Sequence, residues 1–268
     1  MRLKEKVALV TGAGRNTGRG IALRFAREGA HVVANDIDSD AVEALLRTCA
    51  DEKLSASAGI ADVSDAEAMC ALIDRTVSEK GTLDILVNNA VVHAGLGERG
   101  PFLKVTAEGW REFMKQNLDA LFFTTKHAAR VMAKNRSGSI ISISSNGALL
   151  AHRQMIAYDA LKGALESFTR AVAVDLAPWQ VRVNALRPIA VAEEPNERLG
   201  KMVPMGRIAT PADVAAAAVF LASDDAAFIT AQVINIDGGM LEQSRPPELE
   251  LEPVVRPEDL EWLDESTI

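Results

Sequence analysis

Val7-Ala8-Leu9-Val10-Thr11-Gly12-Ala13-Gly14-Arg15-Asn16-Thr17-Gly18-Arg19-Gly20 is the stretch that decides the fold. Val7 to Val10 is a short continuous apolar run, the pattern of a strand covered on both faces. A glycine-rich turn follows at once, and Ile21 to Glu28 reads as a helix stopped by Gly29. Strand, turn and helix in that order make a phosphate site. Glycines let the backbone approach a diphosphate, and the helix N-terminus offers free N–H groups and a positive dipole end. Gly12, Arg15, Asn16, Thr17 and Gly18 are therefore candidate cofactor-binding residues. His31 to Asn35 reads as a second strand, closed by Asp36. An acidic residue about 20 positions past such a turn typically hydrogen-bonds the adenosine ribose, and it repels a 2′-phosphate. Asp36 therefore predicts NAD(H). The plainer alternative makes it a turn residue before a helix starting near Ser39. Arg15 points the other way, toward NADP(H), because an arginine in the turn can meet a 2′-phosphate.

Farther along, Tyr158-Asp159-Ala160-Leu161-Lys162 places a phenol and an ammonium four residues apart, on one face of a helix. On its own this pair is an ordinary helix-surface neighbourhood. Its context changes that. Ser139 to Ser144 alternates as a buried strand, and Ser145 begins the loop at its end, where an open α/β sheet places catalytic groups. A cation beside a tyrosine favours the phenolate. A serine hydroxyl converging on the same point can polarise a carbonyl oxygen.

Strands near 7–11, 31–35, 55–60, 83–87, 138–144, 181–186 and 232–236 alternate with helices near 18–28, 39–50, 65–79, 107–134, 156–177 and 212–222. This alternation predicts an α/β Rossmann-type fold: a doubly wound parallel sheet of about seven strands with helices on both faces. Residues 1–240 read as one dinucleotide-binding and catalytic domain. Residues 241–268 read as an acidic, proline-containing tail.

The chain resembles the short-chain dehydrogenase/reductase family, of the single-domain type, from about Leu3 to Met240. The resemblance is carried by Thr11-Gly12…Gly18, Asp62-Val63, Asn88-Asn89-Ala90, Gln116-Asn117-Leu118, the Ser145, Tyr158 and Lys162 set, and Asn184-Ala185-Leu186-Arg187-Pro188. Phe220 to Asp224 and Ile236-Asp237-Gly238-Gly239 complete it. It implies reversible hydride transfer between NAD(H) and an alcohol or ketone, with Asn117, Ser145, Tyr158 and Lys162 catalytic. It places Asp62 and Val63 at the adenine. Asn89, Ala90, Tyr158, Lys162, Pro188 and Val191 join them as cofactor contacts. It also implies a homo-oligomer, dimer or tetramer, built on the helices near 107–134 and 156–177. Leu118, Leu121, Phe122, Phe123, Leu165, Phe168 and Val172 would supply its apolar surface. Some positions depart from the family pattern. Asn16, Val91 and Ile189 stand where glycines are usual, Glu193 where a threonine is usual, and Leu161 and Ala231 replace a common serine and glycine. These departures bear on cofactor pose and pocket shape. The alternatives are an NADPH-dependent reductase of ketones or 3-oxoacyl thioesters, and a cofactor-binding protein without useful catalysis.

His93, His152 and Arg153 are the substrate-side candidates. His93 touches substrate or is a solvated loop histidine; His152 and Arg153 line a pocket rim or the plain surface. Four histidines and two cysteines have no spacing suited to one metal site. The sequence has 29 basic and 37 acidic residues, a net charge of −8, of which the last 28 residues carry −7. The near-neutral body offers no basic face for nucleic acid. No signal peptide and no apolar run of about 18 residues is present, so no membrane partner is expected and the expected compartment is the cytoplasm. The tail is a solvated terminus, or Trp262 and Leu263 anchor it near the substrate loop, Ala192 to Gly206.

Overall fold

The computed structural model describes residues 1–92 and 100–247. His93 and the tail residues Trp262 and Leu263 lie outside the described residues. The strands are β1 (Val7–Thr11), β2 (His31–Asp36), β3 (Ala56–Ile60), β4 (Ile85–Asn88), β5 (Gly138–Ile143), β6 (Val181–Pro188) and β7 (Val233–Ile236). The helices are α1 (Asn16–Arg27), α2 (Ser39–Asp51), α3 (Ala66–Lys80), α4 (Ala107–Met114), α5 (Ala120–Asn135), α6 (Ile156–Leu176), α7 (Glu197–Gly200) and α8 (Pro211–Ala222). All seven strands pair in parallel, in the order β3-β2-β1-β4-β5-β6-β7. The chain runs outward from β1 to β3, then returns to place β4 against the other side of β1. A crevice opens at this reversal, at the carboxyl ends of β1 and β4.

Alternation along β1 divides the core. Ala8 and Val10 face Ile21 and Phe25 of α1, Leu45 of α2, and Val214 and Ala218 of α8. Val7 and Leu9 face Met69 and Ile73 of α3, Ala128 and Met132 of α5, and Ala173 of α6. Both faces of the sheet are thus covered, which is why these strands read as continuous apolar runs.

The single helix expected near 107–134 is two helices joined by a π-helical turn, Lys115–Asp119. Asn117 provides the cause. Its Nδ2 donates to Phe113 O at 2.9 Å, so a side chain enters the ladder where a backbone N–H would serve.

Ala231, just before β7, has φ +61°, a left-handed conformation costly for an L residue with a Cβ. Ala231→Gly is expected to stabilise the protein by roughly 0.5–1 kcal/mol, after subtracting the extra chain entropy of glycine. Differential scanning calorimetry should show a melting temperature higher by about 1–3 °C.

Candidate active site

The crevice is a cleft of about 1110 Å³, running from Asp36 and Ile37 at the end of β2 to Ser145, His152 and Tyr158 beyond β5. Its floor is fixed by the ends of β1 and β4. Thr11 Oγ1 accepts from the Asn89 and Ala90 N–H groups at 3.0 and 3.1 Å, and donates to Val87 O at 3.2 Å. Asn89 Nδ2 donates to Thr11 O at 2.9 Å and Gly12 O at 3.1 Å. These bonds hold the glycine turn in place while Gly12, Arg15, Asn16, Thr17 and Gly18 line the cleft.

The turn is built as a cradle for a bulky group. Gly12 has φ +64°, and a Cβ on Gly18 would collide with Gly12 O. Asn16 has φ +44°, which asparagine tolerates better than most residues, so the turn survives the loss of the glycine. Its Nδ2 donates to Val191 O at 3.2 Å, tying the turn to the segment after β6. Val191, Pro188 and Ile189 line the same side of the cleft. Ile189 occurs where a glycine is usual because its side chain has somewhere to go: it is buried with Val203 and Ala209.

Asp36 is held at the tip of β2. One carboxylate oxygen accepts from Gly14 N at 2.9 Å, the other from Asp38 N at 3.1 Å. Arg15 is not a free cation here; its guanidinium pairs with Asp38 at 2.6 Å. Asp62 and Val63 line the cleft beyond β3, with Asp62 Oδ1 accepting the Ser64 N–H and hydroxyl, both at 2.8 Å. Glycine cradle, open helix N-terminus and an acidic residue at the second strand fit a dinucleotide.

At the other end, Ser145, Tyr158 and Lys162 line one wall together. Ser145 Oγ accepts from Gly147 N at 3.1 Å, which turns the hydroxyl back over the loop. Lys162 is buried, its Nζ donates to Ile143 O at 2.7 Å and lies 5.5 Å from the centre of the Tyr158 ring. Burial lowers the Lys162 ammonium to about 8. Burial pushes the Tyr158 phenol up; the Ser145 hydroxyl pulls it down, and the Asp159 carboxylate adds to the rise. The net direction on Tyr158 is thus opposite to the lowering expected from Lys162. Desolvation is the dominant influence in the protein alone.

Asn117 clamps the loop after β4 at two points. Its Oδ1 accepts from Val92 N at 2.7 Å and its Nδ2 donates to Val92 O at 3.0 Å. A separate small cavity of about 30 Å³ is lined by Thr11, Asn88, Asn117, Thr124 and Lys162. The rest of its lining is apolar, including Leu121, Ile143, Leu161 and Leu165, but it is large enough for one water molecule with these polar side chains in reach. Of the two described substrate-side candidates, only His152 lines the cleft. Arg153 is exposed and is not among the residues that line the cleft.

Sequence patterns did not single out the buried pair Glu166–Arg187. Arg187 Nε and Nη2 donate to Glu166 at 2.7 and 2.6 Å, Ser144 Oγ donates to the same carboxylate at 2.7 Å, and Arg187 Nη1 reaches Asn235 Oδ1 at 2.7 Å. The available signal was weak: Glu166 is one of several charges in its helix, with Asp159, Lys162, Arg170 and Asp175, and the strand before Pro188 carries Arg182 as well as Arg187.

A family model described as enoyl-(acyl carrier protein) reductase matches residues 12–241. The 3-oxoacyl-[acyl-carrier-protein] reductase FabG of Thermotoga maritima is 32% identical over 249 residues, covering 90% of this chain and all of that protein. A gluconate 5-dehydrogenase from Burkholderia cenocepacia, solved with NADP and tartrate, superposes with a TM-score of 0.82 at 31% identity. That match covers 90% of this chain and 97% of the other. A 7α-hydroxysteroid dehydrogenase, solved with NADH and 7-oxo-glycochenodeoxycholic acid, gives 0.82 at 32% identity over 89% of this chain and 95% of the other. The chain belongs to the short-chain dehydrogenase/reductase family. It is an NAD(P)-dependent oxidoreductase acting on alcohol or carbonyl groups. No helix among the described residues is long and apolar enough to cross a membrane.

Proposed function

We propose that the protein oxidises a secondary alcohol, or reduces the matching ketone, with NAD(H) rather than NADP(H). The observation carrying the cofactor choice is Asp36, held at the cleft by two backbone amides while Arg15 is engaged by Asp38. An added 2′-phosphate would meet a carboxylate and find the nearest cation already paired. Asp36→Ala is expected to raise kcat/KM for NADP(H) and weaken NAD(H) binding. A wild-type protein that binds NADPH more tightly than NADH, measured by fluorescence titration, would overturn this assignment.

Gly12, Arg15, Asn16, Thr17 and Gly18 would hold the diphosphate, Asp36 the ribose, Asp62 and Val63 the adenine, and Asn89, Ala90, Pro188 and Val191 the nicotinamide half. When bound, the nicotinamide supplies a hydride acceptor or donor at its C4. Tyr158 takes the alcohol proton in oxidation and returns it in reduction. Ser145 hydrogen-bonds the reacting oxygen. Lys162 holds the nicotinamide ribose and supports the phenolate. The cavity between Asn117 and Lys162 accommodates a water through which that proton leaves. A lysine near 8 can both hold and release a proton close to neutrality.

Because burial holds Tyr158 above its ordinary value, its phenolate grows as pH rises through the neutral and alkaline range. Oxidation needs the phenolate and reduction needs the phenol. The oxidative kcat/KM should therefore climb with pH while the reductive kcat/KM falls. Initial rates in both directions across that range check this, and an oxidative kcat/KM that falls with pH or a reductive one that climbs would contradict it.

A second reading, reduction of a 3-oxoacyl thioester with NADPH, is favoured by the relative from Thermotoga maritima and opposed by Asp36. We further propose self-association through α4, α5 and α6. Phe122 and Phe123 are 42% and 41% exposed there. Leu121 and Leu165, expected on that surface, are instead buried in their own domain against Ala185. Residues 1–240 would form the catalytic unit in the cytoplasm. The first tail residues return to the substrate side, where Gln243 Nε2 donates to Met202 O at 2.8 Å.

A further inference from the structure

His152 is built into the cleft wall more firmly than a rim residue needs. Its backbone N–H donates to Asp159 Oδ2 at 2.6 Å, and its Nδ1 to Asp159 Oδ1 at 2.8 Å. Asp159 immediately follows Tyr158, in the first turn of α6, where the helix dipole favours a carboxylate. The His152 ring meets the Tyr158 ring edge to face, with centroids 6.3 Å apart. Gly147 leaves room for the pair: a Cβ there would overlap Asp159 Oδ1 and press on the Nδ1–Cε1 edge of His152. Three segments thus converge to fix one imidazole beside the catalytic phenol.

That arrangement fixes the tautomer. A carboxylate only accepts, so Nδ1 carries a proton and Nε2 of the neutral ring is an acceptor. Nε2 has no partner among the described residues, and the side chain lines the cleft. The same cleft is lined by the apolar residues Met155, Leu199, Met202, Val203 and Met240, and by Ser145 and Asn146 from the loop that leads to His152. The cleft therefore presents, beside Tyr158, a hydrogen-bond acceptor whose direction is fixed by Asp159 and which no described residue occupies.

We propose that His152 is a substrate-binding residue that accepts a hydrogen bond from a second hydroxyl, one or two carbons from the reacting carbon. The substrate class is then a diol in oxidation and a hydroxyketone in reduction. This rests on the oxidoreductase reading above and deepens it. A 3-oxoacyl thioester offers an acceptor at the matching place, a second carbonyl, and is the poorer complement to Nε2.

The test uses the full chain with NAD⁺ and three alcohols: cyclohexanol, trans-1,2-cyclohexanediol and cis-1,3-cyclohexanediol. The readout is the ratio of kcat/KM for each diol to that for cyclohexanol. At least one ratio should exceed unity by about tenfold or more in the wild type, the usual value of a hydrogen bond that the deoxy analogue lacks. It should collapse toward unity in His152→Ala and in His152→Phe. The phenylalanine variant keeps a ring against Tyr158 without the nitrogen, so a loss in both variants is a loss of the acceptor rather than of packing. Wild-type ratios near unity, or ratios that survive both substitutions, overturn the role of His152 while leaving the oxidoreductase intact. No turnover of any of the three overturns both readings.

Discussion

Replacing Tyr158 with Phe is expected to cut turnover by roughly 10²–10⁴, the usual worth of general acid–base catalysis, with NADH affinity nearly unchanged. The ring remains, so packing against His152 and the cation–π contact with Lys162 persist. What disappears is the hydroxyl proposed to exchange a proton with the reacting oxygen. Ser145 cannot substitute for it: its hydroxyl already accepts from Gly147 N, and a serine has no accessible anionic form near neutrality. The loss should fall on kcat in both directions, because the proton moves through the same atom in oxidation and in reduction. Lys162→Ala should differ, harming both turnover and cofactor binding. Stopped-flow binding of NADH alongside steady-state rates separates the two. Retention of most activity in Tyr158→Phe would remove the phenol from the mechanism.

Arg187→Ala is expected to lower stability by about 3–5 kcal/mol, the penalty for stranding a buried charge. Glu166 and Arg187 side chains are only 5% and 10% exposed, so water cannot take over the lost pairing. The carboxylate would keep just the Ser144 hydroxyl, and Asn235 would lose its donor. Melting should drop by roughly 6–20 °C for a domain of this size. The diagnostic is the double variant Arg187→Met with Glu166→Leu. Burying two apolar groups instead of one orphaned charge should recover at least half of that loss, since a buried pair is often replaceable by hydrophobic residues. If the single substitution moves the melting temperature by under about 2 °C, the pair is better solvated than its burial indicates.

Legibility in the sequence followed the physics of each element. The seven strands were readable because strands covered on both faces carry apolar runs such as Val7 to Val10, bounded by turn residues. The break at Lys115–Asp119 was not, because it depends on the Asn117 amide choosing the Phe113 carbonyl, a side-chain event within a continuous helical pattern. At the site, residues at strand ends and in the glycine turn could be placed from motif order alone. The state of those residues could not. The upward push on Tyr158 and the pairing of Arg15 with Asp38 come from packing and from residues 23 apart in sequence. His152 showed the same limit: its neighbour in sequence, Arg153, looked equivalent, and only the Asp159 carboxylate separates them.

The most direct measurement is the reduced-nicotinamide absorbance of the wild type and Tyr158→Phe, incubated with a panel of secondary alcohols and ketones and with NAD(H) or NADP(H). Turnover by the wild type with NAD(H), weaker turnover with NADP(H), and a loss of roughly 10²–10⁴ in the variant are expected. Equal rates in the two proteins, or turnover confined to NADP(H), would contradict it.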